Sequence, residues 1–208
     1  SPTMLQAIEF MAVIASAIYG ILLACRKEMD VVGVIAVAFA VAFGGGTLRD
    51  LCLDRTPLFW ITNDHYVMVV MTIAIVGAFT PNLIGHTRRF LDLPDAIGMG
   101  LFSITGAGYA MQAETSMFIA AILAVVTGTF GGVIGDIICN EIPSLFRSTP
   151  IYATCSFIGA WAYLLLETTP IDHAYNIAAG VATIVVLRLA ALKWNLTLPA
   201  SKERPPAE

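Results

Sequence analysis

The chain has 208 residues, of which 58% are hydrophobic and only 12% charged, with a mean hydropathy of +0.81. Soluble domains run at roughly 45–50% apolar and about 25% charged, so this balance points to an integral membrane protein and leaves no stretch to build a soluble domain. A formal net charge of -4 excludes a nucleic-acid binder, which needs a basic face.

Segments of about 20 apolar residues span a ~30 Å hydrocarbon core. Seven such segments are predicted, over residues 4–25, 31–53, 66–84, 94–113, 117–139, 151–166 and 174–192. The first has no basic flank or small-residue cleavage site, so it reads as a retained helix. Pro57 marks a polar connection after the second, and Pro81 lies near the end of the third. Residues 197–208, rich in Pro, Lys and Glu, are expected to be a disordered tail. Cytoplasmic loops carry an excess of Lys and Arg. With the N-terminus outside, Arg26, Lys27, Arg88, Arg89, Arg147, Arg188, Lys193, Lys202 and Arg204 fall inside, against Arg55 outside and Arg49 undecided. The expectation is N-out and C-in, which requires an odd number of spans.

The second segment contains Gly44, Gly45 and Gly46, then Thr47, Leu48 and the opposite charges Arg49 and Asp50. Each glycine weakens a helix by about 1 kcal/mol relative to alanine, and ionisable groups in a membrane mark ion or substrate routes. The motif has a partner. A shift of 86 positions lays Gly45 on Gly131, Gly46 on Gly132, Asp50 on Asp136 and Pro57 on Pro143. In the same register Gly20 meets Gly106, Ala24 meets Ala110, Glu28 meets Glu114, Ala38 meets Ala124 and Glu9 meets Asp95.

Each unit holds three spans, so the second is inserted upside down, which defines inverted repeats with a site near their interface. The units are residues 4–90 and 91–168, with a seventh helix over 169–196. At 1.5 Å per residue, Gly45 lies ~21 Å and Asp50 ~28 Å along the second span, so two glycine motifs flank the midplane from opposite sides. They are read as helix breaks that line a wet path, since lipid cannot satisfy freed backbone groups. The competing reading is close helix packing through small residues, as the spacings of Gly128, Gly132 and Gly131, Gly135 allow.

Arg49 and Asp50 are candidate pore electrostatics or a gate with Asp136, or else an interfacial pair whose arginine snorkels to water. As neighbours on a helix they are expected to find partners elsewhere or to face a wet cavity. Glu9 and Asp95 are either interfacial or give the vestibules a cation preference. Ser103, Thr105, Thr127 and Thr129 are candidate ion-facing hydroxyls, or they bond back to their own helix. Cys25, Cys52, Cys139 and Cys155 show no CxxC spacing and read as buried free thiols, and His65, His86 and His173 fall in connections or at segment ends. No metal site is expected, and no GxSxG elbow, HExxH motif or intramembrane His and Ser pair suggests an enzyme.

At GGGTLRDLCLDRTP and FGGVIGDIICNEIP the sequence resembles the bacterial branch of the TRIC (trimeric intracellular cation) channel family. The resemblance runs from about Met4 to Leu196. It implies two inverted three-helix bundles plus a seventh helix, a homotrimer surrounded by membrane lipid, and one pore per protomer lined by kinked second and fifth helices. The kink positions are then Gly44, Gly45, Gly46, Gly131 and Gly132. The implied function is passive passage of monovalent cations such as potassium or sodium in a bacterial inner membrane, with no cofactor. One departure stands: many bacterial relatives have a basic residue before the second aspartate, where this chain has Gly135. Some relatives are regarded as glycine transporters, so a secondary transporter for glycine or another small solute is the alternative.

Overall fold

The computed structural model describes residues 2–80, 89–147 and 150–199. Among these the regular structure is helical: α1 (Pro2–Arg26), α2 (Val31–Cys52), a short α3 (Phe59–Thr62), α4 (Asp64–Phe79), α5 (Arg89–Gln112), α6 (Met117–Ile138), α7 (Ala153–Leu166) and α8 (His173–Trp194). A single 3-10 turn, Ser144–Phe146, follows α6. Four helices, α1, α2, α6 and α8, are long and apolar enough to cross a membrane. The apolar helices α4 and α7 are shorter, at 16 and 14 residues. α5 is long but carries Asp92, Pro94 and Asp95 near its start.

Local chemistry explains the boundaries, and it repeats. Asp30 caps α2 by accepting from Gly33 N at 2.8 Å, and its counterpart Ser116 caps α6 by accepting from Ile119 N at 3.3 Å. Glu28 and Glu114 turn the chain out of α1 and α5 in the left-handed region (φ 54° and 58°), and Asp54 and Asn140 do the same after α2 and α6 (51° and 55°). Both glutamates are exposed.

α1, α2 and α4 pack on one another, and so do α5, α6 and α7; the two groups meet through α1 against α5 and α2 against α6. The contacts at both seams run antiparallel. A Cβ on Gly45 would strike the Thr127 carbonyl, and one on Gly131 would strike the Val41 carbonyl. A Cβ on Gly98 would meet Ser16, and one on Gly108 would meet Leu5. Equivalent residues of α2 and α6 thus swap partners across their seam, as a two-fold axis demands. The core is lined with small residues: Ala17, Ala38, Ala42, Ala107 and Ala124 are all fully buried. Such residues let helices approach where lipid offers no hydrophobic gain for association. α8 packs on α7 and α5 and has no equivalent in the first group.

The structure corrects three expectations. α2 and α6 are unbroken helices through both glycine motifs, and no glycine among the described residues has positive φ. The missing Cβ atoms serve close approach instead of a break. Thr197 does not belong to a free tail, because it forms an antiparallel bridge with Pro150 while Ile151 N donates to Leu196 O at 2.8 Å. Cys52 is exposed and Cys25 half-buried, so only Cys139 and Cys155 match the expected buried thiols. Pro81, Ile84, His86 and Arg88, and residues 200–208, lie outside the described residues.

Candidate functional site

The charged groups of the interior gather at two places, one at each end of the α2–α6 crossing. At the first, Arg49 is fully buried, and its own neighbour is its main partner. Nε and Nη2 donate to Asp50 Oδ1 at 2.9 and 2.7 Å, and Nη1 donates to Glu9 Oε1 at 2.6 Å. The expectation that neighbouring helix residues cannot pair is therefore corrected: at the end of α2 the long arginine folds back on Asp50 while reaching α1. Snorkelling is excluded by the same burial.

Asp50 also accepts from Arg55 Nη1 at 3.0 Å through Oδ1 and from Phe59 N at 2.8 Å through Oδ2. The guanidinium lies between the rings of Phe59, 5.1 Å away, and Tyr109, 4.5 Å away, while Arg55 stacks on Tyr109 at 3.9 Å. Tyr109 reaches Glu9 Oε2 at 3.5 Å. Charges of both signs thus neutralise one another in a cluster buried except at Arg55, the form in which buried ions are tolerated. Glu9 is 1% exposed and takes part in this cluster, so its interfacial reading is set aside.

At the crossing itself Gly45 lies on Thr127 and Gly131 on Val41, while Gly44 faces Ile134 and Gly46 faces Phe59. A narrow gap of about 10 Å³ remains there, lined by Ser16, Tyr19, Val41, Asp95, Thr127 and Gly131 among others. Beside it, with Tyr19 and Asp95 in common, is the second polar region, a cavity of about 510 Å³ bordered also by Asp136, Arg147 and Arg188. Asp136 Oδ2 accepts from Ser144 N at 2.9 Å and Oδ1 from Tyr19 at 3.5 Å. Asp95 accepts from Tyr152 at 2.9 Å. Lys27 (2.5 Å) and Arg147 (2.8 Å) both bind Glu141 in the connection after α6. These two bonds, Lys27 first, hold the Glu141 carboxyl below the ordinary glutamate range.

Of the hydroxyl candidates, Thr127 donates to Leu123 O, Thr129 to Val125 O and Thr105 to Phe102 O, while Ser103 pairs with Ser156 at 2.6 Å. Thr127 alone among them borders the gap; Ser103, Thr105 and Thr129 line neither it nor the cavity. No group of side chains suited to a metal stands among the described residues. His65 stacks on Tyr66 and Phe10, and His173 pairs with Glu167.

Sequence reasoning missed Tyr19, Tyr109, Phe59, Tyr152 and Arg188. Tyr152 had a signal, since the 86-residue shift lays Tyr66 on it. Tyr19 and Tyr109 had none, because their equivalents are Thr105 and Leu23.

Fold and site together define a helical membrane protein with two pseudo-symmetric halves and a polar region at each end of their crossing. The family model described as "Glycine transporter" matches the chain twice, over residues 6–82 and 92–168. The chain belongs to that family, and it shares its fold with bacterial TRIC channels. A solved structure described as the TRIC trimeric intracellular cation channel orthologue from Rhodobacter sphaeroides is 35% identical, with a TM-score of 0.87, covering 93% of this chain and all of that one. A UPF0126 membrane protein of Vibrio cholerae is 37% identical over 205 residues, 95% of this chain and 82% of its own length. The inner membrane protein YadS of Escherichia coli is 37% identical over 191 residues, 88% of this chain and 89% of its own.

Proposed function

We propose that the protein is a passive, potassium-permeable monovalent cation channel of a bacterial inner membrane, with one path per protomer along the α2–α6 crossing. The observation that carries this reading is the unequal pair of polar ends on either side of the glycine crossing: a buried Arg49 cluster at one, and at the other a cavity lined by charges of both signs in which Asp95 and Asp136 make no ion pair with a described side chain. Arg49 acts as a tethered positive plug, and Asp95 and Asp136 offer a passing cation carboxylate partners in the cavity. The solved relative, described as a trimeric cation channel, supports a homotrimer. YadS, described as an inner membrane protein, supports the location. Seven spans follow if α4, α5 and α7 cross with α1, α2, α6 and α8, and the Lys and Arg bias then puts the N-terminus outside and the cavity on the cytoplasmic side.

Planar-bilayer recording tests the reading. Unitary currents in potassium salts are expected, with Arg49→Ala raising conductance or open probability; a clear fall in that variant contradicts the plug. A second reading, secondary transport of glycine, is favoured by the family description and by a polar cavity beside the crossing of the two inverted repeats, where such carriers hold their solute. Saturable glycine uptake without unitary currents would select it.

A further inference from the structure

The two polar ends occupy equivalent positions in the repeat. The 86-residue shift carries Glu9 to Asp95, Asp50 to Asp136 and Arg49 to Gly135. In the first half the two carboxylates close on the Arg49 guanidinium. In the second half the same two positions face a cavity, and neither Asp95 nor Asp136 makes an ion pair with a described side chain. Gly135 removes the tethered cation, and Asp95 is one methylene shorter than Glu9, which leaves room between them.

Among the described side chains no ion pair fills that place, although Arg188 bears electrostatically on Asp95 and Arg147 on Asp136. Arg188 on α8 borders the cavity, but its Nη1 donates to the carbonyls of Pro150 and Ile151 at 2.9 and 3.0 Å, and its guanidinium stacks on Tyr152. Its Nε, buried, has no partner. Lys27 and Arg147 are engaged by Glu141. Arg26 and Asp92 also line the cavity. Tyr19 of α1 touches Asp136 and borders the gap beside Asp95.

We propose that Asp95 and Asp136 form a binding site for a small monovalent cationic group, at the place that the Arg49 guanidinium fills in the other repeat. The guanidinium is the independent observation: the fold displays, between the equivalent carboxylates, the kind of group such a pair holds. An alkali-metal ion and the ammonium end of a small zwitterion share this chemistry, and the latter would set its carboxylate towards Arg188. The proposal deepens the channel reading by naming an ion position, and only its alkali-metal arm rests on that reading.

The test titrates purified full-length protein, held in N-methyl-D-glucamine chloride, with rubidium chloride, methylammonium chloride or glycine while thermal unfolding is followed. A saturable rise of the midpoint with rubidium identifies an alkali-metal site, and a rise with methylammonium and glycine alone identifies an ammonium site. In either case Asp95→Asn/Asp136→Asn should weaken the apparent affinity by about tenfold or more, since each lost carboxylate removes a direct charge partner. His173→Gln should leave it unchanged.

A second variant guards against misfolding of the first. Because a Cβ on Gly135 would crowd Val41, Val41→Ala/Gly135→Lys supplies a tethered cation. It should unfold at a higher temperature than Val41→Ala alone and no longer respond to the added cation. The proposal is overturned if no probe shifts the wild-type midpoint, if the asparagine variant responds as the wild type does, or if the lysine variant still responds. Binding without unitary currents would leave the site standing and remove the channel reading.

Discussion

Arg49 makes three hydrogen bonds to two carboxylates and lies between two aromatic rings, all inside the protein. Removing it alone strands Glu9 and Asp50, with Arg55 as the remaining counter-charge. Arg49→Met is therefore expected to destabilise by about 3–5 kcal/mol, as breaking a buried ion pair does. Glu9→Gln/Arg49→Met removes one stranded charge along with the arginine and should recover a good part of that loss. Thermal unfolding in detergent checks both, and a double variant as unstable as the sum of the singles would contradict the coupling. The sequence singled out Arg49 and Glu9 separately, on charge within apolar segments. It did not pair them, because 40 residues separate them and only packing of α1 on α2 brings them together.

At the scale of the helices, the glycines of α2 and α6 set the distance between the halves. An alanine at Gly45 or Gly131 places its Cβ on a backbone carbonyl, which cannot swing aside as a side chain can. Gly45→Ala and Gly131→Ala should each cost about 1–3 kcal/mol or more. Gly132→Ala should cost less, because its Cβ would meet the Tyr152 hydroxyl at 3.1 Å. Equal costs at the three positions, read from unfolding midpoints, would contradict the crossing.

The connection after α6 carries a pH dependence. Glu141 is held below its ordinary range by Lys27 and Arg147, so the tie it makes is intact above the ordinary glutamate value and is lost as pH falls through the depressed one. The tie spans the cavity mouth between α1 and α6. Acidification below the ordinary glutamate range, or Glu141→Gln at neutral pH, should loosen it, measurable as a wider distance between spin labels on the two helix ends; an unchanged distance in both would count against it.

The helices were legible in the sequence because apolar runs and the repeat register report them directly. The close contact at the glycines was not: a run of glycines reads alike for a bend and for a close contact, and only the residue on the facing helix decides. Val41 and Thr127 are ordinary apolar and hydroxyl residues in the chain, and nothing marks their carbonyls as the surfaces that need glycine opposite.

For the whole molecule, the 86-residue register reappears in caps, left-handed turns and reciprocal contacts, which is why a repeat found in sequence carried so much of the fold. The asymmetry between the halves carried the site. It was legible only at Arg49 against Gly135, since the tyrosines that complete each end do not recur.

The proposed orientation has its own test. In a cysteine-free background, a membrane-impermeant maleimide added to intact spheroplasts should label Asp54→Cys, and should label Glu28→Cys only after permeabilisation. The reverse pattern would invert the topology.

The central claim is a conducting path along α2 and α6 that is plugged at Arg49. Single-channel recording of the purified trimer in potassium chloride addresses it most directly. The account predicts unitary potassium currents that grow in conductance or open probability in Glu9→Gln/Arg49→Met. A folded, trimeric preparation that passes no unitary current while taking up glycine saturably would contradict it.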